Sequence, residues 1–250
     1  MEKPDYQRNE KFERKPEGDN AYKVFCGFFY LEYREFGKCV RNFSMTDVGI
    51  AFGTAFSSFA VRSWFALHDR DTFEGNLKLA HVHFVVWYPK KVRWKKVFKD
   101  ICDCFHVPHL VQGLTSDGEF AVDENGKPMM ENNPWLTMSV CVSPIGAIRY
   151  LIHADDKNKF QYTFNDILTN DIAMAKMAMM CPHGALTSDV LTRLVWECHG
   201  NVRVICNMMG LDYFAKYNSV IKMLVSQYRY DMGCSPNASS DFDASEPVLC

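Results

Sequence analysis

The segments SWFALHDRD (residues 63–71) and AHVHFVVW (residues 80–87) decide the fold. Each begins or ends as a run of strand-forming residues, and a short polar loop with Gly75 and Asn76 separates them, so the pair reads as two antiparallel strands joined like a hairpin. On a strand, side chains alternate between faces, which turns His81 and His83 to one side and Val82 and Phe84 to the other, toward the core. Pairing the two runs brings His68 and Asp71 beside the two later histidines. His-x-His alone is equally consistent with two ordinary hydrogen-bonded histidines; the upstream HDRD favours a metal site built from His68, Asp71, His81 and His83. Three imidazoles and a carboxylate form a mixed N/O donor set suited to Mn²⁺ or Mg²⁺, although imidazole also suits Zn²⁺.

Working outward, a β-like stretch covers Tyr22 to Tyr33 and an apolar segment covers Val48 to Phe59. Pro89 is expected to close the strand that carries His81 and His83. A helix is predicted from about Trp94 to Cys104, with Trp94, Val97, Phe98, Ile101 and Cys104 at helical spacing. Residues 113–134 hold DG, NG, KP and NP, which is turn chemistry and suggests a small hairpin about Asn125-Gly126. A third strand, about Leu136 to Val142, leads into Pro144 and a helix carrying IRYLIH. From residue 165 onward helices dominate: Asp166 to Met180, then Ser188 as cap of a helix to Cys198, then Val202 to Met209 and Tyr213 to Tyr228.

The expected fold class is therefore α+β, a central antiparallel sheet flanked by helices and followed by a small all-helical domain. The expected divisions are a flexible N-terminus (1–20), a sheet domain (21–164), a helical domain for oligomerisation or DNA binding (165–230), and a disordered Ser/Asp/Pro-rich tail (231–250).

A chain of 250 residues that is 48% hydrophobic can bury a full core. No apolar run approaches the roughly 18 residues that a membrane span requires, and the charged N-terminus lacks a signal-peptide core, so a cytoplasmic protein with no membrane partner is expected. Ten cysteines then read as reduced core thiols. The net charge of −2 argues against a protein that coats nucleic acid over its whole surface. Locally, Lys90, Lys91, Arg93, Lys95, Lys96 and Lys99 gather six positive charges with Trp94 and Phe98 between them. That segment is a candidate phosphate-binding surface or the solvated face of an amphipathic helix.

Tyr150 and His153 lie three apart, so on a helix they share a face, and Arg149 is adjacent. Tyr150 is either a core tyrosine or a nucleophile with Arg149 and His153 in supporting roles. HDRD, HVHFVVW and GAIRYLIHADDKNKFQY, in that order, resemble the successive motifs of plasmid replication (Rep) proteins in the HUH endonuclease superfamily, in particular the rolling-circle group from promiscuous Gram-positive plasmids. The resemblance covers about residues 60 to 165. It implies that His68, Asp71, His81 and His83 hold the metal and that Tyr150 is the nucleophile. Two features depart from the family: Leu79 and Ala80 stand where relatives often carry Lys-Pro, and 113–134 looks like an insertion.

The function implied is initiation of plasmid replication. Single-stranded origin DNA would be nicked and rejoined through a 5′-phosphotyrosine intermediate, leaving a 3′-hydroxyl for a host polymerase. Tyr162 is a second candidate nucleophile, disfavoured by its angular offset on a continued helix. No G-x-x-x-x-G-K-[ST] loop occurs, so a host helicase is implied, and a homo-oligomer is expected by resemblance. Three rivals remain open. One is a zinc site at Cys102, Cys104, His106 and His109; the second is a relaxase or transposase with the same motifs; the third is a non-enzymatic DNA-binding regulator.

Overall fold

A computed structural model describes residues 12–35, 38–56, 61–115, 117 and 119–233. Of the expected flexible ends, residues 1–11 and 234–250 lie outside the described residues, whereas Phe12 is buried and Glu13–Arg14 pairs with the main sheet. Twelve strands are described: β1 (Glu13–Arg14), β2 (Ala21–Tyr30), β3 (Glu32–Glu35), β4 (Lys38–Asn42), β5 (Arg62–His68), β6 (Thr72–Phe73), β7 (Asn76–Leu77), β8 (His81–Arg93), β9 (Leu110–Gln112), β10 (Met130–Asn132), β11 (Leu136–Cys141) and β12 (Leu168–Thr169). Seven α-helices accompany them: α1 (Met45–Ala55), α2 (Trp94–Cys104), α3 (Pro144–Tyr150), α4 (Ile172–Met180), α5 (Ser188–Glu197), α6 (Val202–Met209) and α7 (Leu211–Asp231). The α+β class and the antiparallel sheet are as expected.

The main sheet has six strands in the order β1-β11-β2-β8-β5-β12, all antiparallel. The long strand β8 is central. β5 pairs with it in the register that places His68 opposite His81 and Ala66 opposite His83. One sheet face carries Phe25, Phe29, Phe65, Val82, Phe84 and Val86 into a core closed by α1 and α2 through Val48, Phe52, Val97, Phe98 and Ile101. α1 starts sharply because Ser44 and Asp47 form a reciprocal capping box. Gly27, on β2, is required where β2 meets β11: a Cβ there would fall 2.0 Å from the Thr137 carbonyl oxygen.

Pro89 does not end β8, contrary to expectation. The ladder between β2 and β8 is interrupted between the pairs Tyr22/Val92 and Val24/Trp87, so Pro89 sits where no ladder hydrogen bond is needed, and the strand resumes to Arg93. Lys90, Lys91 and Arg93 are consequently on a strand rather than a helix. Between β5 and β8, Glu74 (φ 50°) and Gly75 (φ 80°) form the two-residue turn of the β6–β7 hairpin. β9, just before the 113–134 segment, pairs with β10 near its end, and between them a tighter turn at Asp123–Lys127 with Gly126 at φ 74° matches the expected hairpin.

The chain divides into two compact units, residues 1–179 and 180–250. The predicted helix from Asp166 does not form there. A single 3₁₀ turn (Phe164–Asp166) precedes β12, which pairs with β5, and α4 begins only at Ile172. Asn170 accepts a hydrogen bond from the Ser63 amide and Arg62 forms an ion pair with Asp171, so residues 168–171 are fastened to the sheet edge. In the second unit, α5 and α6 pack on α7 around Leu191, Leu194, Ile205, Met209, Ile221 and Val225. Thr187, not Ser188, caps α5, its side chain accepting from the Val190 amide. No helix among the described residues is long and apolar enough to cross a membrane.

Candidate metal centre

His68 ends β5, Asp71 follows one turn later, and His81 and His83 open β8 on the same sheet face. All four are buried, with exposures of 1%, 8%, 7% and 8%. The β6–β7 hairpin returns the chain within reach: the Lys78 amide donates to the Asp71 carbonyl at 2.8 Å, and β8 begins three residues later. His68 Nδ1 lies 3.1 Å from Asp71 Oδ2, and His81 Nε2 lies 3.8 Å from the same oxygen. The His68 ring centroid is 4.4 Å from that of His83.

A fifth residue joins them. His153 is fully buried, its ring 4.5 Å from His68 and its Nε2 3.7 Å from Asp71 Oδ2. Two overlapping groups therefore have ligand atoms close enough to share an ion: His68, His81 and His83, and His68, Asp71 and His153. The expected placement of Tyr150 and His153 on one helix does not hold. α3 stops at Tyr150, and the chain turns with the His153 amide donating to the Tyr150 carbonyl and the Ala154 amide to that of Arg149. This is the pattern of a Schellman cap, with His153 (φ 55°) in the left-handed position that glycine usually takes.

Carbonyl oxygens fix the tautomers, because they only accept. Leu79 O lies 2.8 Å from His81 Nδ1, Phe160 O lies 2.7 Å from His153 Nδ1, and Leu151 O lies 2.8 Å from His68 Nε2. For His81 and His153 those nitrogens carry the hydrogen, which leaves each Nε2 as a lone pair facing Asp71, whereas both ring nitrogens of His68 face acceptors, Nε2 the Leu151 carbonyl and Nδ1 the Asp71 carboxylate. Burial lowers His81 and His153 to about 4, against the opposing pull of their carbonyl partners, and holds His83 well below the usual imidazole range. For Asp71 burial acts upward, but the His68 hydrogen bond and the imidazoles around it outweigh burial and hold the carboxyl at about 2. Neutral His81, His83 and His153 beside an ionised carboxylate are the protonation states that a divalent cation needs.

Tyr162 closes the far side. Its ring stacks on His68 at 4.4 Å and 13°, its hydroxyl donates to Asp71 Oδ1 at 3.2 Å, and it accepts from the Arg70 amide at 3.1 Å. Burial and the Asp71 charge raise its phenol to about 12, the Arg70 bond opposing. Tyr150 is placed differently. Its half-buried ring lies 5.4 Å from His83 and 5.2 Å from His153, and Lys159 Nζ donates to its hydroxyl at 2.6 Å.

Arg149 does not approach the Tyr150 hydroxyl. Its guanidinium is bidentate on Asp155, at 2.7 and 2.6 Å, and donates through Nη1 to the carbonyls of Ala178 and Met179. Lys159 is the cation beside that phenol; it lies in the GAIRYLIHADDKNKFQY motif, but sequence reasoning gave it no role.

The basic segment is exposed as expected, but it is not free of acid. Arg93 faces Asp19, and Lys96 and Lys99 pair with Asp100 and Asp103 one turn on along α2. It is also remote: seven residues of strand separate His83 from Lys90, roughly 23 Å at strand rise. Cys102, Cys104, His106 and His109 form no such ligand group among the described residues, and Cys102 is wholly buried in the core under α2. No family model matches the chain, and no curated protein is similar to it.

Proposed function

We propose that the protein is a metal-dependent DNA-nicking enzyme that acts through Tyr150, as the resemblance to rolling-circle Rep proteins implies. One observation carries the reading. A half-buried phenol, held by a lysine, borders a buried cluster of imidazoles around one carboxylate. Tyr162, the other phenol at the site, has its hydroxyl committed to Asp71 and lies 5% exposed, which suits support rather than attack.

His68, Asp71, His81 and His83 would hold a divalent ion, and an imidazole-rich set suits a first-row transition ion such as Mn²⁺ better than Mg²⁺, which prefers oxygen. When bound, the ion neutralises charge growing on the non-bridging oxygens of a phosphodiester. Tyr150 Oη attacks phosphorus; the Tyr–O–P bond forms, the P–O3′ bond breaks, and the phenolic proton passes to the departing 3′ oxygen. The products are a 5′-phosphotyrosine and a 3′-hydroxyl. Lys159 orients the phenolic oxygen and offers a positive charge to the phosphate that becomes attached to it.

The test is cleavage of labelled single strands tiled across DNA flanking the coding sequence, with Mn²⁺, Mg²⁺ or EDTA. The expected result is metal-dependent nicking that leaves protein on the 5′ end, retained in Tyr162→Phe and absent in Tyr150→Phe. Absence of a covalent adduct from the wild type overturns the proposal and makes a non-enzymatic DNA-binding protein the better reading.

A further inference from the structure

We infer that His153 is a fourth imidazole ligand of the same ion, bound through Nε2, and not a packing residue behind the nucleophile. The inference rests on the metal-binding part of the proposed function and is independent of the nicking chemistry. Its first support is an orphaned atom. His153 Nε2 is buried and has no hydrogen-bond partner among the described residues, although Nδ1 of the same ring is satisfied by Phe160 O. Buried polar atoms are nearly always paired, and one left bare is destabilising.

The second support is direction. With the hydrogen on Nδ1, Nε2 presents a lone pair toward Asp71 Oδ2 at 3.7 Å, matching the 3.8 Å of His81 Nε2 to the same oxygen. Two lone pairs facing one carboxylate repel each other and the carboxylate, and a cation among them reverses the sign of every one of those interactions. A histidine kept only for packing has no reason to point this atom at an anion.

The test is Mn²⁺ binding to the full chain, followed by titration, thermal shift and pulsed paramagnetic resonance that counts coordinated imidazole nitrogens. Wild type is expected to show four. His153→Asn keeps a donor near the Nδ1 position and tolerates the left-handed backbone, yet lacks the Nε2 ligand. It should show three nitrogens and bind Mn²⁺ at least on the order of tenfold more weakly, since perturbing the surroundings of a ligand alone costs 10–100-fold. Its metal-free melting temperature should be no lower than that of wild type, because an orphaned atom is gone. His153→Gln, which restores an acceptor near Nε2, should recover part of the affinity. Three nitrogens in the wild type, or His153→Asn binding as tightly as wild type while His83→Ala does not, overturns the assignment and leaves the nicking proposal intact. Absence of Mn²⁺ binding by the wild type overturns both.

Discussion

Tyr162 and Asp71 are joined by a hydrogen bond of 3.2 Å in which the phenol donates to Oδ1, leaving Oδ2 to face the imidazoles of His68, His81 and His153. The hydroxyl thereby fixes which carboxylate oxygen points inward. Tyr162→Phe is expected to keep the chemistry of Tyr150 but weaken divalent-ion affinity by about tenfold, the lower end of what such supporting contacts contribute. Calorimetric titration with Mn²⁺ measures this, and unchanged affinity would show that Asp71 is oriented without it.

Arg149 is expected to act on stability rather than on chemistry. Replacing it with Met removes the donor to the Ala178 and Met179 carbonyls and the bidentate contact to the solvent-facing Asp155, and should lower unfolding free energy by about 2 kcal/mol, mainly through the carbonyls left unsatisfied. Urea denaturation reads the loss. A variant that folds normally yet fails to form the covalent adduct would assign Arg149 to the reaction instead.

A second stability prediction concerns Gly27. An added methyl would meet the Thr137 carbonyl at 2.0 Å and the Met138 Cα at 3.0 Å, both backbone atoms that cannot swing aside. Gly27→Ala should therefore destabilise by about 2 kcal/mol or more through displacement of β11. A thermal melt within 1 °C of wild type would show that the sheet relaxes freely there.

The pH dependence follows from the lowered imidazoles. His81 and His153 titrate near 6.5 when unfolded and near 4 in the fold, so the unfolded chain takes up protons first as pH falls. Their contribution is complete above pH 6.5 and is lost as the pH drops toward 4; Asp71, with its carboxyl lowered from 3.8 to about 2, loses its own share only below that range. Metal-free melting temperature measured from pH 7 to 4 should fall over this window, more steeply in wild type than in His81→Gln. A flat profile would show that the fold leaves the two rings at their unfolded pKa.

The distance between the basic segment and the metal centre gives a substrate-length prediction. Changing Lys90, Lys91 and Lys95 to Ala should leave cleavage of a short single strand unaffected and weaken binding of longer DNA, reducing its salt dependence. Equal loss on short and long substrates would place the scissile strand along β8, contrary to the roughly 23 Å separation at strand rise.

Much of this was legible in the sequence because it follows from local rules. The pairing of His68 with His81 follows from period-two alternation on two apolar runs, and α2 was visible in its apolar spacing from Trp94 to Cys104. What stayed hidden depends on long-range or backbone events. Pro89 misled because the interruption that tolerates it is a property of β2 and β8 together. β12 is two residues long and exists only because Asn170 and Asp171 grip the edge of β5. His153 looked like a helix-face neighbour of Tyr150, and only the left-handed turn aims it at Asp71. Lys159 reaches Tyr150 from nine residues away with no periodic signal.

The turn that ends α3 gives one last consequence. Within Arg149–Ala154, successive residues supply a structural clamp, the proposed nucleophile, the carbonyl that holds His68 and an imbedded imidazole, and all four point correctly only because of a single backbone reversal. Heritable change in this stretch should thus be unforgiving of length: one residue gained or lost would misdirect every role together. The turns at Glu74-Gly75 and Asp123–Lys127 carry none of these roles, and lineages of this protein should accumulate their insertions and deletions there.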